Sequence, residues 1–378
     1  MEKINCRVLH VFSGFGGGIS SVILNLAQNK DEGICFDTMA FSYNKGDQFV
    51  QSIIAEGGQC YTMPRPRKNG IRNFCLYIEN VIGKGRYDVV HCHIAGWMAA
   101  PFARAAKKYQ VKVFLVHAHT TKYDSLVDRI PIVRAIDQKL NNKWADAYMT
   151  CSDLAANYIF GEKYVSKKGV TLIPNGVSEE RFANELSLEE KKQLRAALNL
   201  PEHVKLVGHV GRFDTQKNHD MILDIAKIAI RQTPDIRFLL VGEGSKLKEI
   251  QQRCEKDGLR DTVMFLGRRT DVAQLMQLVD VMILPSFYEG LPTVAVECQA
   301  SGTPMIISDS VTRQCDMGLG LVKFLPISSP AQWLEAILEM IGTRVPCAGA
   351  LTKIKSNGFT AKTVGRLYCE KINELIRK

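Results

Sequence analysis

The sequence predicts an α/β chain built on doubly wound parallel sheets. Short apolar runs alternate with helix-length segments along the chain, the pattern of parallel strands covered by helices on both faces. With 378 residues there is length enough for two domains, each able to bury its own core. No repeat of 20–50 residues and no low-complexity tract interrupts the alternation.

In chain order, a strand over Arg7–Phe12 leads through Ser13-Gly14-Phe15-Gly16-Gly17-Gly18 into a helix over Ile19–Gln28. Glycines there let the backbone approach a phosphate with no Cβ in the way, and a plain tight turn is the alternative. A dinucleotide fingerprint would want a further glycine at Ile19, which weighs against a nicotinamide site. Strands over Val89–Cys92 and Val111–Val116 flank a helix over Ala95–Tyr109. A strand over Val170–Ile173 precedes the expected domain boundary at Asn175-Gly176. Beyond it come strands over Val204–Val210, Phe238–Val241, Val281–Leu284 and Met305–Ile307, with helices over Met221–Arg231 and Ser245–Lys256. The last helix is expected over Thr360–Lys378.

The bulk composition is that of an ordinary globular protein, 46% hydrophobic and 23% charged. No apolar run approaches the roughly 18 residues of a membrane span, and no secretory signal pattern opens the chain. Eleven dispersed cysteines without a C-x-x-C pair read as reduced thiols of a cytoplasmic protein. His91-Cys92-His93 and His117-Ala118-His119 invite a zinc reading, but each trio alternates along a strand and no cysteine pair joins them, so no metal is expected. Residues 1–176 hold 22 Lys and Arg against 14 Asp and Glu, a net of +8, out of +10 for the whole chain. The stretch Arg65, Arg67, Lys68 and Arg72 concentrates the excess, which suits an anionic membrane surface or a diphosphate, or else a solvated loop. It lacks interleaved aromatics and any recognisable binding module, so nucleic acid is excluded.

Two segments carry the chemistry. Ser286-Phe287-Tyr288-Glu289-Gly290-Leu291-Pro292-Thr293 leaves a buried strand, turns at Gly and Pro, and opens a helix near Thr293 that carries Glu297. Unpartnered N–H groups at such a helix start make an anion site, with one carboxylate beside it and the other one to two turns along. A solvated helix face is the competing account of the two acids. Upstream, Gly211-Arg212-Phe213-Asp214-Thr215-Gln216-Lys217-Asn218 runs from a strand into another helix. Arg212 and Lys217 pair a forked guanidinium with a compact ammonium, as a diphosphate requires.

These residues, with Val241-Gly242-Glu243-Gly244, Val263-Met264-Phe265-Leu266-Gly267 and Ile173-Pro174-Asn175-Gly176-Val177, resemble the retaining glycosyltransferases of family 4. The resemblance runs from about residue 7 to about 370, and is nearest to bacterial enzymes that build capsular or exopolysaccharide. It implies the GT-B fold: two Rossmann-like domains, 1–175 for the acceptor and 176–359 for the donor, facing each other across a cleft. Residues 360–378 would cross back onto the first. The implied reaction is metal-independent transfer, with retention, from a nucleotide-diphosphate sugar to a polyprenyl-diphosphate-linked or saccharide acceptor. UDP is the expected nucleotide. The enzyme would work in the cytoplasm, at the inner face of the membrane.

By the same resemblance the diphosphate rests on Arg212, Lys217 and the N–H groups of Thr293 and Val294, close to Leu291, with Gly17 and Gly18 opposite. Glu297 would hold the ribose, Glu289 the transferred sugar, and Phe265, Leu266 and Arg268 the base. The family also carries a histidine beside the transferred sugar. His119, nearest the strand end, is the candidate, with His117 as the alternative. Where the family most often has Pro-Phe-Gly after the first acid, this chain has Gly290-Leu291-Pro292, with the spacing to Glu297 kept. Two other readings use the same residues: a sugar-nucleotide epimerase, and a non-catalytic subunit that only binds the donor or a partner enzyme.

Overall fold

Strands rich in Val, Ile and Leu must be covered on both faces, and two parallel sheets achieve this here. The computed structural model describes residues 6–14, 18–43, 48–123 and 126–377. Gly17 lies outside the described residues. The chain forms two units: residues 1–176 together with 360–378, and residues 177–359.

The first unit holds β1 (Cys6–Val11), β2 (Ile34–Ala40), β3 (Cys60–Thr62), β4 (Val89–Cys92), β5 (Val113–Ala118), β6 (Ala147–Thr150) and β7 (Thr171–Leu172). Their order across the sheet is β3-β2-β1-β4-β5-β6-β7, all parallel. The second unit holds β8 (Lys205–Val210), β9 (Ile236–Val241), β10 (Val263–Gly267), β11 (Val281–Leu284), β12 (Met305–Ser308) and β13 (Val322–Leu325). Its order is β10-β9-β8-β11-β12-β13, again parallel. Each sheet therefore reverses direction once, between β1 and β4 and between β8 and β11. Loops leaving such a switch point diverge and open a crevice at the carboxyl ends of the strands, where α/β proteins bind ligands.

Three elements depart from the sequence reading, each for a local reason. Val111 does not start β5; its N–H closes the preceding helix on Ala106 O at 2.9 Å, after Gln110 takes a left-handed φ of 54°. β5 consequently starts at Val113 and runs two residues further, taking in His117 and leaving His119 just past its end. The expected helix over Ala95–Tyr109 divides into a 3-10 turn, Gly96–Ala99, and a helix, Ala100–Lys108, because Pro101 suits a helix start and not a helix interior. β2 is a strand that a polar residue conceals. Its Asp37 is wholly buried and accepts from the Arg7 guanidinium at 2.9 Å, Tyr87 Oη at 2.6 Å and Gln59 N at 2.9 Å. A carboxylate with that many donors tolerates the core.

The first core is built around Val8, Phe36, Val89 and Leu115 and is completed by Val364, Tyr368, Cys369 and Ile372 of the helix Ala361–Arg377. Gly365 permits the approach: a Cβ there would lie 2.4 Å from Asn29 O. The last helix thus belongs to the first unit. The second core gathers Val207, Phe238, Ile283 and Trp333, whose indole N–H donates to Pro326 O at 2.9 Å.

Candidate active site

Three consecutive residues after β8 grip the loop after β11. Gln216 Nε2 donates to Tyr288 O at 2.9 Å and to Glu289 Oε2 at 3.0 Å, while Gln216 O accepts from Phe287 N at 2.9 Å. Lys217 Nζ donates to Glu289 Oε1 at 2.6 Å. Asn218, in the left-handed region at φ 52°, donates from Nδ2 to Pro285 O at 3.1 Å. The turn that makes this possible is capped by Asp214, whose Oδ1 accepts from Lys217 N at 3.2 Å. Glu289 is only 6% exposed, so its charge depends on these partners. The two strands that carry the loops are neighbours at the switch point of the second sheet. Glycine is required at Gly242, where φ is 143° and a Cβ would lie 2.0 Å from Gly211 O.

Past Glu289, the buried Leu291 and Pro292 lead into the helix Thr293–Ala300, which has no side-chain cap. Its first N–H groups and the Thr293 hydroxyl are available to an anion: Thr293 Oγ1 and Ser286 Oγ are buried with no hydrogen-bond partner among the described residues. Val294 follows on the same first turn. Glu297, one turn on and half-buried, pairs with Arg181 at 3.0 Å. Burial pushes its carboxyl up, and Arg181 offsets part of the shift. Arg212 is largely exposed, with its guanidinium 3.2 Å from Asp214.

Phe265 and Leu266 lie on β10, the edge strand, two strands away from β8. Phe265 nevertheless reaches the turn after β8, its ring 5.9 Å from that of Phe213. Phe213 stacks on His219 at 3.9 Å, and His219 meets His209 edge-on at 4.8 Å. Arg268 is exposed just beyond the strand. The second unit thus gathers Arg212, Lys217, Glu289, Leu291, Thr293 and Val294 around one switch point, with Glu297 next along the helix and the β10 residues at the flank.

In the first unit, Gly18 begins the helix Gly18–Gln28 after β1, and a Cβ there would meet nothing within 4 Å. Packing does not demand a glycine at that position. The histidines at the ends of β1, β4 and β5 come together. Register places His10 beside His91 and Cys92 beside Val116, so the alternating His91, His93, His117 and His119 project from one face. His93 Nδ1 lies 2.8 Å from His119 Nε2, His10 Nδ1 3.0 Å from His93 Nε2, and His91 Nε2 3.1 Å from His117 Nδ1. Tyr368 Oη closes the row on His91 Nδ1 at 2.9 Å. His117 is buried and His119 half-buried, at the rim. Burial pushes His10 and His119 down to about 3 and the other three well below their ordinary value. Two trios, His10, His91, His93 and His93, His117, His119, each bring ring nitrogens within 4.8 Å of one another. The sequence places His10, His91 and His93 at strand ends of the same domain as His117 and His119, and the register is what brings their ring nitrogens together.

Comparison with known proteins places this geometry. Residues 16–181 match the family model described as Glycosyltransferase Family 4, and residues 190–317 match Glycosyl transferases group 1. The chain is 33% identical over 345 residues to "Putative glycosyltransferase EpsF" of Bacillus subtilis (strain 168), covering 89% of this chain and 88% of the relative. The chain belongs to the family 4 glycosyltransferases. This glycosyltransferase is also 28% identical over 252 residues to the UDP-Gal:alpha-D-GlcNAc-diphosphoundecaprenol alpha-1,3-galactosyltransferase of Escherichia coli, covering 64% of this chain and 62% of that one. Its fold is GT-B. The crystal structure of Anabaena Alr3699/HepE in complex with UDP-glucose superposes with a TM-score of 0.78 over 97% of this chain and 99% of that one, at 18% identity. WaaG, a glycosyltransferase involved in lipopolysaccharide biosynthesis, gives 0.71 over 97% and 99%, at 15% identity.

Two residues of this glycosyltransferase escaped the sequence reading. Gln216 sits inside a motif that was recognised, but its side chain shows its use only when Glu289 is in place. Arg181 lies 116 residues from Glu297, beyond any local signal.

Two outcomes follow for the second unit. Lys217→Met should strand the buried Glu289 charge and cost about 3 kcal/mol in a denaturant titration. The double variant Lys217→Met/Glu289→Gln should recover part of that loss, and simple additivity would show that the pair is uncoupled. His209 and His219 are buried, and burial pushes them down to about 4 and about 2. The unfolded chain therefore binds more protons than the folded one below its ordinary histidine pKa. Stability is present above that value and is lost as pH falls. The unfolding free energy should drop by about 1.4 kcal/mol per histidine between pH 7.5 and 5.5. An unfolding free energy that stays flat across the interval would mean that both rings take up protons in the folded protein as readily as in the unfolded chain.

Proposed function

We propose that this glycosyltransferase moves a sugar, with retention of anomeric configuration, from a nucleotide-diphosphate sugar to a lipid-linked or saccharide hydroxyl during synthesis of a bacterial surface polysaccharide. The observation that carries the donor side is the Lys217–Glu289 pair beside an uncapped helix start with an unpartnered Thr293 hydroxyl. The diphosphate lies against Arg212, Lys217 and the N–H groups of Thr293 and Val294. Glu297 accepts from the ribose hydroxyls, with Arg181 holding its carboxylate. Glu289, already fixed on one side by Lys217 and Gln216, accepts from hydroxyls of the transferred sugar. The base lies near Phe265, Leu266 and Arg268. His119 is the first unit's candidate for contact with a sugar hydroxyl, and Gly18 its candidate for phosphate.

UDP is favoured as the nucleotide, because the E. coli relative is named for UDP-Gal and the Anabaena neighbour is a complex with UDP-glucose. In the reaction the anomeric C–O bond to the diphosphate breaks and a bond to the acceptor oxygen forms on the same face. The acceptor proton passes to the departing phosphate oxygen. Arg212 and Lys217 stabilise the charge that grows there, so no divalent ion is required for transfer.

The acceptor is assigned to the first unit on its charge. Arg65, Arg67, Lys68 and Arg72 are all exposed, next to Ile71, which is 72% exposed. That combination suits an anionic membrane surface and a polyprenyl diphosphate. No described helix is long and apolar enough to cross a membrane.

Binding and turnover of UDP-, GDP- and ADP-sugars, with and without EDTA, test the donor reading. A UDP-sugar should bind and turn over regardless of EDTA, and Arg212→Ala and Glu289→Ala should each lose about a hundredfold in rate. Binding of no nucleotide sugar would overturn the reading, and an epimer formed without acceptor would replace it. For the membrane, co-sedimentation with anionic phospholipid vesicles should weaken roughly a hundredfold in Arg67→Ala/Lys68→Ala/Arg72→Ala. Equal pelleting with neutral vesicles, or no change in the triple variant, would remove the electrostatic account.

A further inference from the structure

The histidine array of the first unit is larger than any contact with one sugar hydroxyl needs. Five imidazoles and a phenol form two hydrogen-bonded rows. One runs Tyr368–His91–His117 and the other His10–His93–His119. The ring centroids of His117 and His119 lie 3.9 Å apart, the planes tilted by 32°, which brings the rows together. A neutral imidazole has one N–H and one lone pair, so each row runs in one direction and its ends need partners. Nε2 of His10 ends the other row unpartnered among the described residues, and Nε2 of His117, a residue itself 1% exposed, ends the first in the same way. Whether that nitrogen is a donor or an acceptor, it is unsatisfied.

We propose that His93, His117 and His119 bind a divalent transition-metal ion of the zinc class, with the free Nε2 of His117 as one ligand and the facing Nδ1 of His93 and Nε2 of His119 as the others. Of the two histidine trios this one costs least. Only the His93–His119 hydrogen bond is given up, whereas in the other trio His91 already uses both ring nitrogens. The remaining bonds then become the outer shell. With Nε2 ligated, His117 carries its proton on Nδ1 and donates to His91 Nε2, and His91 Nδ1–H donates to Tyr368 Oη. His93 likewise donates from Nε2 to His10 Nδ1. Ligating histidines are commonly held in this way by a partner on the second nitrogen.

The geometry requires small movements. A tetrahedral ion with Zn–N of about 2.1 Å sets its ligands about 3.4 Å apart. The His93 and His119 nitrogens must open from 2.8 Å, and one ring nitrogen of each of the three already lies within 4.8 Å of the others. The half-buried His119 leaves an entry path and a fourth position for water. Three imidazoles without thiolate or carboxylate suit zinc, cobalt, nickel or copper and disfavour magnesium and calcium. The site lies wholly in the first unit, whereas Arg212, Lys217, Thr293 and Val294 belong to the second. It goes beyond the transferase reading and shares only His119 with it.

The experiment is zinc and cobalt binding to the whole chain, freed of metal by a chelator and carrying no polyhistidine tag. One zinc ion per chain should bind by calorimetry. Cobalt in its place should show the intense visible bands of a tetrahedral nitrogen site. His119→Ala, at the rim, should fold and bind at least a hundredfold more weakly, while His203→Ala, exposed in the second unit, should bind as wild type does. Tyr368→Phe should weaken binding about tenfold through His91 and His117. The assignment is overturned if wild type takes up no zinc, if cobalt stays octahedral, or if His119→Ala retains full affinity. Donor binding by wild type, measured with and without zinc, reports on the transferase reading by itself.

Discussion

Parallel strands buried on both faces leave one place in this chain where polar groups can work. Side chains along β4, β5, β11 and β12 are buried throughout, so chemistry is confined to the loops at the carboxyl ends, above all where the sheet reverses direction. In the second unit that constraint brings the turn after β8 to the loop after β11. In the first it brings together the histidines of β1, β4 and β5.

The second unit answers with a buried ion pair whose partners are both otherwise hydrogen-bonded. Lys217 is held by the Asp214 cap through its N–H, and Glu289 by Gln216 through its second oxygen. Such a pair contributes little net stability, because desolvation consumes most of the Coulomb gain. What it contributes is position. With Phe287 N on Gln216 O and Asn218 on Pro285 O, the backbone that leads into the helix Thr293–Ala300 is held at four points before any ligand arrives. A site fixed in advance loses less entropy on binding.

The first unit uses neutral rings instead. Its five clustered histidines are stripped of charge by burial, and the last helix covers them with Tyr368. That helix is part of the first core, so the tail of the chain takes part in the histidine row and does not merely close the unit.

Much of this was legible in the residues. The alternation of apolar runs and helical segments is a local property and led to two parallel-sheet units. The turns at Gly211–Asn218 and Ser286–Thr293 carry their own Gly, Pro and Asn signals, so the family resemblance could be anchored there. What was not legible depends on strand order. Lys217 meets Glu289 across 72 residues only because β8 lies beside β11, and Arg181 meets Glu297 across 116. His91-Cys92-His93 looks like half of a motif until register sets it against His117-Ala118-His119. The sequence by itself determined the elements, their faces and the chemistry each turn can offer, because those follow from neighbours along the chain. Only the tertiary structure decided which of these groups share a partner, because that follows from which strands are adjacent.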